Sequence, residues 1–141
     1  MEFLCDKRIR FQHCDVAGIV FNPHYLVMCN ELIEDWFTDG LGMDYAALHR
    51  DARLGTPVVR VEADFLHASG LGDSLRFRLA VEHLGEASLR VGIEASADGV
   101  VRFRAKLKLV LMSLDSMRAI PIDDAWRARF AAYCNAAPDA R

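Results

Sequence analysis

The chain has 141 residues and a mass of 15.8 kDa, which predicts one domain spanning residues 1–141. Apolar residues make up 52% and charged residues 26%, so the composition excludes a disordered or low-complexity protein and supports a core without disulfide or metal staples. The formal net charge of -3 and a pI near 5.9 argue against a nucleic-acid-binding protein, which usually carries a basic surface.

The cysteines and the first residues bear on metal binding and cellular compartment. Four cysteines are present, at positions 5, 14, 29 and 134, and no two form a C-x-x-C pair, so we expect no metal site. The chain starts without the basic and then apolar segments of a signal peptide. Its longest uncharged run, residues 16–30, is too short to cross a bilayer. We therefore expect a cytoplasmic protein with no membrane attachment.

The first half of the chain predicts a strand, a loop and a long helix. Apolar and polar residues alternate over residues 8–13, which predicts a strand, and a loop follows over residues 14–21. Asn22 is a favourable helix N-cap, and Pro23 suits the first helical position. Apolar residues then recur at helical spacing as far as Gly40, a span of roughly 27 Å at 1.5 Å per residue. A shorter helix is predicted over residues 44–50.

The second half predicts a sheet. Apolar residues alternate with charged ones over residues 59–65, 75–82, 89–95 and 101–111, and Asp98-Gly99 is a tight hairpin turn between the last two strands. A final helix is predicted over residues 123–134. The fold class is therefore α+β, an antiparallel sheet of about five strands wrapped around one long central helix. Its unprotected edge predicts a homo-oligomer, either a homodimer or a homotetramer.

The common catalytic motifs do not occur in this chain. There is no P-loop, no dinucleotide fingerprint, no H-E-x-x-H and no G-x-S-x-G. The tetrapeptide Gly72-Asp73-Ser74-Leu75 spells the motif of a lipase-like hydrolase family, but Ser74 begins a predicted strand, whereas a nucleophile elbow leads from a strand into a helix. We therefore expect a turn capped by its polar residues.

One segment, residues 12–25, combines an acid, a glycine loop and a helix start. The first turn of a helix offers unpaired N–H groups and the positive end of the helix dipole. A carboxylate facing that end can support acyl transfer: the N–H groups bind the oxyanion, and Asp15 attacks the substrate or activates water. The alternative is that Asp15 only accepts hydrogen bonds from loop amides, as Asx turns do.

These residues resemble the signature of a known family, the 4-hydroxybenzoyl-CoA thioesterase family of hot-dog-fold proteins. The resemblance rests on Cys14-Asp15-Val16-Ala17-Gly18-Ile19-Val20, on Asn22-Pro23-His24-Tyr25, on Gly55-Thr56-Pro57 and on the order of elements. It implies a hot-dog fold and the hydrolysis of an acyl-CoA to the free acid and coenzyme A. It also implies that Asp15 is the nucleophile or general base, and that the backbone N–H at Asn22 is the oxyanion donor.

The resemblance also implies where substrate binds. We expect Gly18, Tyr25, Asn30 and Thr56 to contact the acyl-CoA, with Asn30 as the polar residue that recognises the acyl group. In the 4-hydroxybenzoyl enzyme an acidic residue occupies the Asn30 position, so we expect aromatic acyl groups in general rather than strict 4-hydroxybenzoyl specificity. Coenzyme A enters as part of the substrate, and we expect no separate cofactor.

Three alternatives stay open at this point. A short- or medium-chain acyl-CoA or acyl-carrier-protein thioesterase would use the same catalytic residues. A non-catalytic acyl-CoA-binding subunit would share the fold but would need no carboxylate beside the thioester. A hot-dog dehydratase is less similar, because no matching histidine and acid pair is visible.

The basic side chains on the polar sheet face form either a solvated surface or contacts to coenzyme A phosphates.

Overall fold

A computed structural model describes residues 1–135, so the last six residues of the predicted domain lie outside the described part. The strands are β1 (Phe3–Arg8), β2 (Leu54–Gly55), β3 (Val58–Phe65), β4 (Ser74–Leu84), β5 (Ser88–Ala97), β6 (Val100–Val110), β7 (Met112–Ser113) and β8 (Arg118–Ala119). The helices are α1 (Asn22–Asp35), α2 (Tyr45–Arg50) and α3 (Asp124–Ala131). A 3₁₀ turn (Phe11–His13) precedes α1, and a π-helical turn (Trp36–Gly40) continues it.

The main sheet has five antiparallel strands in the order β1-β4-β5-β6-β3, and a small sheet has the order β2-β7-β8. The register places Val81 of β4 opposite Val91 of β5, and Val91 opposite Leu107 of β6. All three side chains are buried, so they mark the inner face of the sheet. The buried side of α1 belongs to the same hydrophobic cluster. The predicted α+β arrangement, a five-stranded antiparallel sheet around one long helix, is confirmed.

Aromatic side chains close the core at the carboxyl end of the long helix. Trp36 and Phe37 are fully buried in the π-helical turn, and both rings contact Phe130 of α3. The Tyr133 ring packs edge-on against Trp36, and the Tyr133 hydroxyl donates to the Gly40 carbonyl at 3.0 Å. These contacts attach α3 to the end of the helix that lies away from Asn22.

The predicted strand at residues 8–13 is wrong. The first strand ends at Arg8, and the chain then turns, with the Arg10 N–H donating to Nδ1 of His13 at 2.8 Å. The sequence did not predict β1 because Lys7, a charged residue, occupies an inward position, which breaks the expected alternation of apolar and polar residues. Its aliphatic stem is mostly buried, while its ammonium group reaches Glu31 at 3.4 Å.

The start of α1 also differs from the prediction. Asn22 is the first helical residue rather than the cap, and Pro23 is the second. Phe21 is the N-cap, in an extended conformation, because its N–H is held by the His13 carbonyl at 2.9 Å. The helical segment ends at Gly40 as predicted, although its last turn, Trp36–Gly40, is π-helical and α1 itself ends at Asp35. In residues 1–135 no helix is both long enough and apolar enough to cross a membrane.

Candidate active site

Residues 14–21, the Asp15 loop, form a tight hairpin just before α1. Cys14 pairs with Val20, and the Asp15 N–H donates to the Ile19 carbonyl at 3.0 Å. The turn closes where the Gly18 N–H donates to the Asp15 carbonyl at 3.0 Å. Gly18 has φ +78°, a left-handed conformation that glycine adopts without strain. Gly18 therefore allows the tight turn of the loop that carries Asp15.

The two oxygens of the Asp15 carboxylate have different surroundings. Oδ1 accepts the Ala17 N–H at 2.9 Å. This is the Asx-type contact that the sequence analysis named as the alternative role of Asp15. Within residues 1–135, Oδ2 has no hydrogen-bond partner, and the side chain is exposed. The contact with the loop therefore orients the carboxylate and leaves one oxygen available to a reactant.

The start of α1 offers one backbone donor. Pro23 has no N–H, and the His24 N–H already donates to the Phe21 carbonyl at 2.8 Å. The N–H of Asn22, a first-turn residue, has no acceptor inside the helix. It lies at the positive end of the helix dipole, where a developing oxyanion is stabilised. Among residues 1–135 neither Oδ2 of Asp15 nor the N–H of Asn22 has a hydrogen-bond partner, and the two groups lie at the ends of one eight-residue segment.

Tyr25, predicted to bind substrate, is buried. Its side chain is 3% exposed, and its ring stacks on Phe103 with 4.7 Å between centroids. The hydroxyl makes no hydrogen bond within residues 1–135. Burial raises the pKa of Tyr25. The nearby Ser69 side chain and, to a lesser extent, the positive charge of Arg102 lower it. Tyr25 therefore supports the helix start from the core side.

Asn30 lies two turns into α1 and is exposed. Its amide nitrogen donates to the Leu26 carbonyl one turn earlier at 3.1 Å. This bond fixes the side chain along the helix and leaves the amide oxygen free to accept a hydrogen bond. Asn30 is therefore on the same helix as the predicted oxyanion donor, on a surface open to a ligand.

Thr56, also predicted to bind substrate, lies far from Asp15 in the same chain. It is buried next to Tyr45 at the start of α2, and its hydroxyl has no hydrogen-bond partner within residues 1–135. The Tyr45 N–H donates to Thr38, near the end of the long helix. From Asn22 to Thr38 the helix spans about 24 Å, so one chain does not bring Thr56 to Asp15.

The inner face of β3 is only partly covered. The sequence assigned Val59, Val61 and Phe65 to the apolar face of this strand. Val61 and Phe65 do lie on the inner face, yet they are 43% and 44% exposed. Val59 lies in a β-bulge without a register partner and is 57% exposed. The physical reason is that β3 forms the edge of the sheet. The sequence signal for this open apolar edge, an alternating strand, is identical to the signal for a buried one.

The lipase-like tetrapeptide is part of a turn. Oδ2 of Asp73 accepts the Gly70 N–H at 2.9 Å, and Ser74 begins β4, so the tetrapeptide is a turn followed by a strand.

Most basic residues on the outer sheet face pair with carboxylates there. The ion pairs are Arg60–Glu62, Arg76–Asp6, Arg78–Glu2, Arg90–Glu82, Arg104–Glu94 and Lys106–Glu82.

Comparison with known proteins identifies the family of the chain. A family model described as the thioesterase-like superfamily matches residues 9–130, which include the Asp15 loop, α1 and the whole sheet except β1. The chain belongs to the thioesterase-like superfamily. The hot-dog fold and the thioesterase family expected from the sequence are thereby confirmed at the level of the superfamily.

Named relatives of this thioesterase-like protein are hydrolases of aromatic acyl-CoA thioesters. A 1,4-dihydroxy-2-naphthoyl-CoA hydrolase from Acaryochloris marina is 31% identical over 91 residues, which cover 64% of this chain and 66% of that protein. One of the same name from Nostoc punctiforme is 25% identical over 116 residues, covering 82% and 78%.

Two solved structures with the same fold are also named as thioesterases. A gentisyl-coenzyme A thioesterase is 25% identical with a TM-score of 0.82, covering 91% of this chain and 99% of that one. A thioesterase superfamily structure from Jannaschia sp. is 26% identical with a TM-score of 0.88, covering 95% and 94%.

Proposed function

We propose that this protein, a thioester hydrolase of the thioesterase-like superfamily, hydrolyses aromatic acyl-CoA thioesters to the free acid and coenzyme A. Asp15 acts as nucleophile or general base, and the Asn22 N–H binds the oxyanion. The observation that carries the proposal is the free Oδ2 of Asp15 on a loop that leads directly into a helix start with one free N–H.

Thioester hydrolysis suits so small a set of groups. In the overall reaction a bond forms between a water oxygen and the acyl carbon, the carbon–sulfur bond breaks, and the sulfur leaves with the electron pair. A thiol has a pKa of about 8.5, so the thiolate leaves without a strong general acid. Asp15 either takes a proton from the attacking water or attacks first and forms an anhydride that water opens. Both routes need the oxyanion donor.

The aromatic preference rests on the relatives and on Asn30. The names of the relatives above denote naphthoyl and gentisyl thioesters, both aromatic, so they support the aromatic class rather than the 4-hydroxybenzoyl group itself. Asn30 presents a free amide oxygen on the surface of α1. An amide oxygen accepts a hydrogen bond from a ring hydroxyl without carrying a charge.

We also propose that the working enzyme is a homodimer, or a homotetramer of such dimers, joined through β3. A two-fold axis pairs β3 antiparallel with its copy, so the start of one strand faces the end of the other. The end of β3 is near the helix start, because Phe65 and Tyr25 have ring centroids 6.0 Å apart. The partner's Thr56, just before its β3, then comes to the end of the molecule that carries Asp15. A dimer thus assembles the residues that one chain separates.

A hydrolysis screen tests the proposal. Released thiol would be measured with 1,4-dihydroxy-2-naphthoyl-CoA, 4-hydroxybenzoyl-CoA, aliphatic acyl-CoA thioesters of short and medium chain, and an acyl-carrier-protein thioester. We expect the highest kcat/KM with an aromatic substrate. A clear preference for aliphatic chains would support the short- or medium-chain alternative, and binding of acyl-CoA without any hydrolysis would support the non-catalytic one.

A further inference from the structure

The Asp15 loop is held by a second segment far away in the sequence. Residues 66–73, the crossover segment, connect β3 to β4 and run beside the loop. The Val20 N–H donates to the Ser69 carbonyl at 2.9 Å, Ile19 pairs with Gly70, and the Leu71 N–H reaches the Gly18 carbonyl at 3.4 Å. The position of the loop therefore depends on the position of the crossover segment.

Arg102 of β6 holds the crossover segment. Its Nη1 lies 3.1 Å from the Ala68 carbonyl, 3.1 Å from the Ser69 hydroxyl and 3.4 Å from Oδ2 of Asp73. The Arg102 carbonyl also accepts the N–H groups of the first two residues of the segment, at 2.9 and 3.1 Å. Both the side chain and the backbone of one residue thus bind a segment more than 28 residues away in sequence.

Arg102 and Ser69 are more sheltered from water than the basic side chains of the ion pairs on the outer sheet face, while the Asp73 side chain is 41% exposed. The Arg102 side chain is 15% exposed, whereas that of Arg104, two residues along the same strand, is 47% exposed. Ser69 is 1% exposed, and the Gly70 N–H shares Oδ2 of Asp73 with the guanidinium. A partly buried charge-assisted bond holds geometry better than an exposed one, because water competes with it less.

We propose that Arg102 is a positioning residue for the thioesterase reaction: through Ser69 and Gly70 it fixes the hairpin that carries Asp15 and leads into the oxyanion donor. The proposal rests on the proposed function, since it assumes that Asp15 performs the chemistry. Arg102 itself touches no reactant. All three contacts are made by Nη1 alone, whose two N–H groups are shared among a carbonyl, a hydroxyl and a carboxylate. A lysine keeps the charge and enough donors but has a shorter, differently shaped side chain, so it reproduces the position of that nitrogen only in part.

Steady-state kinetics of Arg102→Met, Arg102→Lys and the matched control Arg104→Met test this. We expect Arg102→Met to lower kcat about 10- to 100-fold, because small displacements of catalytic groups cost that much. KM should change less than about 2-fold, because ground-state binding is kept. Arg102→Lys should recover part of the loss, and Arg104→Met should match the wild type. In an Asp15→Asn background Arg102→Met should lower kcat by a smaller factor than it does in the wild type, because the part of its effect that passes through Asp15 is already lost.

Hydrogen exchange gives a second readout that does not depend on turnover. Amides of residues 14–21 should exchange at least about 10-fold faster in Arg102→Met than in wild type, while amides of β4 and β5 keep their protection. If the wild type hydrolyses no thioester, the proposed function fails, and unchanged exchange in the Asp15 loop separately overturns the positioning proposal. Faster exchange in β4 and β5 as well, or an unchanged kcat, also overturns it. Should Arg102→Met not fold, Arg102→Lys is subject to the same criteria.

Discussion

At the scale of single residues, the two oxygens of Asp15 have different roles: one holds the loop, and the other is available for the reaction. Oδ1 binds the Ala17 N–H, and Oδ2 is free. Asp15→Asn keeps an oxygen for Ala17 but removes the charge, so the loop should persist while the reaction stops. We expect kcat on the best substrate to fall on the order of 10²–10⁴-fold, with stability within roughly 1–2 kcal/mol of wild type.

The control for this experiment is a second surface aspartate that makes the same kind of bond. Asp123 caps α3 by accepting the Trp126 N–H at 2.8 Å, so Asp123→Asn should retain full kcat. Circular dichroism must accompany both variants to show that they fold. Retention of most of the activity by a folded Asp15→Asn would falsify the catalytic assignment.

The second prediction at this scale concerns the choice of acyl group. Asn30→Asp replaces a neutral acceptor with a charged one, which binds a ring hydroxyl more strongly. We expect kcat/KM for hydroxylated aromatic thioesters to rise relative to the unsubstituted benzoyl thioester. Glu34→Gln, one turn further along the exposed side of the same helix, serves as the control and should leave the ranking unchanged. An unchanged ranking in Asn30→Asp would remove Asn30 from substrate recognition.

At the scale of elements, the 3₁₀ turn after β1 carries a titratable hydrogen-bond acceptor. Nδ1 of His13 accepts the Arg10 N–H, so this bond exists only while the ring is neutral. Burial is the main reason that the pKa of His13 lies below its ordinary value. His24, with its ring centroid 6.1 Å away, lowers the pKa further, as do Arg10 and Lys7, while Glu31 raises it.

The sign of the pH effect follows from this direction. Because the unfolded chain binds a proton more readily at this site, the contribution to stability is complete above about pH 6.5 and is lost as the pH falls toward the folded pKa. We expect the wild-type Tm to fall between about pH 7.5 and about pH 5.5 more than that of His13→Asn, which keeps an acceptor that does not titrate. His67→Asn, at an exposed position, should follow the wild type; equal slopes for all three would contradict the prediction.

At the scale of the whole molecule, the proposed assembly through β3 rests on the exposed apolar residues of that strand. Val61 is 43% exposed, so Val61→Lys should fold as a single chain yet resist burial of its charge between two copies. We expect sedimentation to show the 15.8 kDa monomer for this variant and an oligomer for the wild type. Activity should fall at least about 10-fold, because each site needs the second copy.

Leu4→Lys is the control for the assembly experiment. Leu4 is also an exposed apolar residue, 48% exposed, but it lies on β1 at the opposite edge of the sheet. It should leave both the oligomer and the activity intact. A wild-type protein that sediments as a monomer and is fully active would refute assembly through β3.

The sequence by itself determined the features that depend on neighbouring residues. Alternation located β3 to β6, and helical spacing located α1 and the π-helical turn that continues it to Gly40. The Asp98-Gly99 turn has φ +52° and +76°, which these residue types tolerate. Asp15 and Asn22 could be paired as candidates because only a short hairpin separates them, so local chain geometry already brings them to one end of the helix.

Only the tertiary structure decided the contacts between distant residues. Thr56 is buried far from Asp15 in one chain, Tyr25 stacks inside the core on Phe103, and Arg102 reaches across to Ser69. Each depends on how strands order and cross, which no local pattern encodes. The same holds for β3, because an alternating strand has one sequence signature whether it lies at the centre of a sheet or at an open edge. Long-range packing, rather than propensity, therefore determined which apolar faces are buried and which remain exposed.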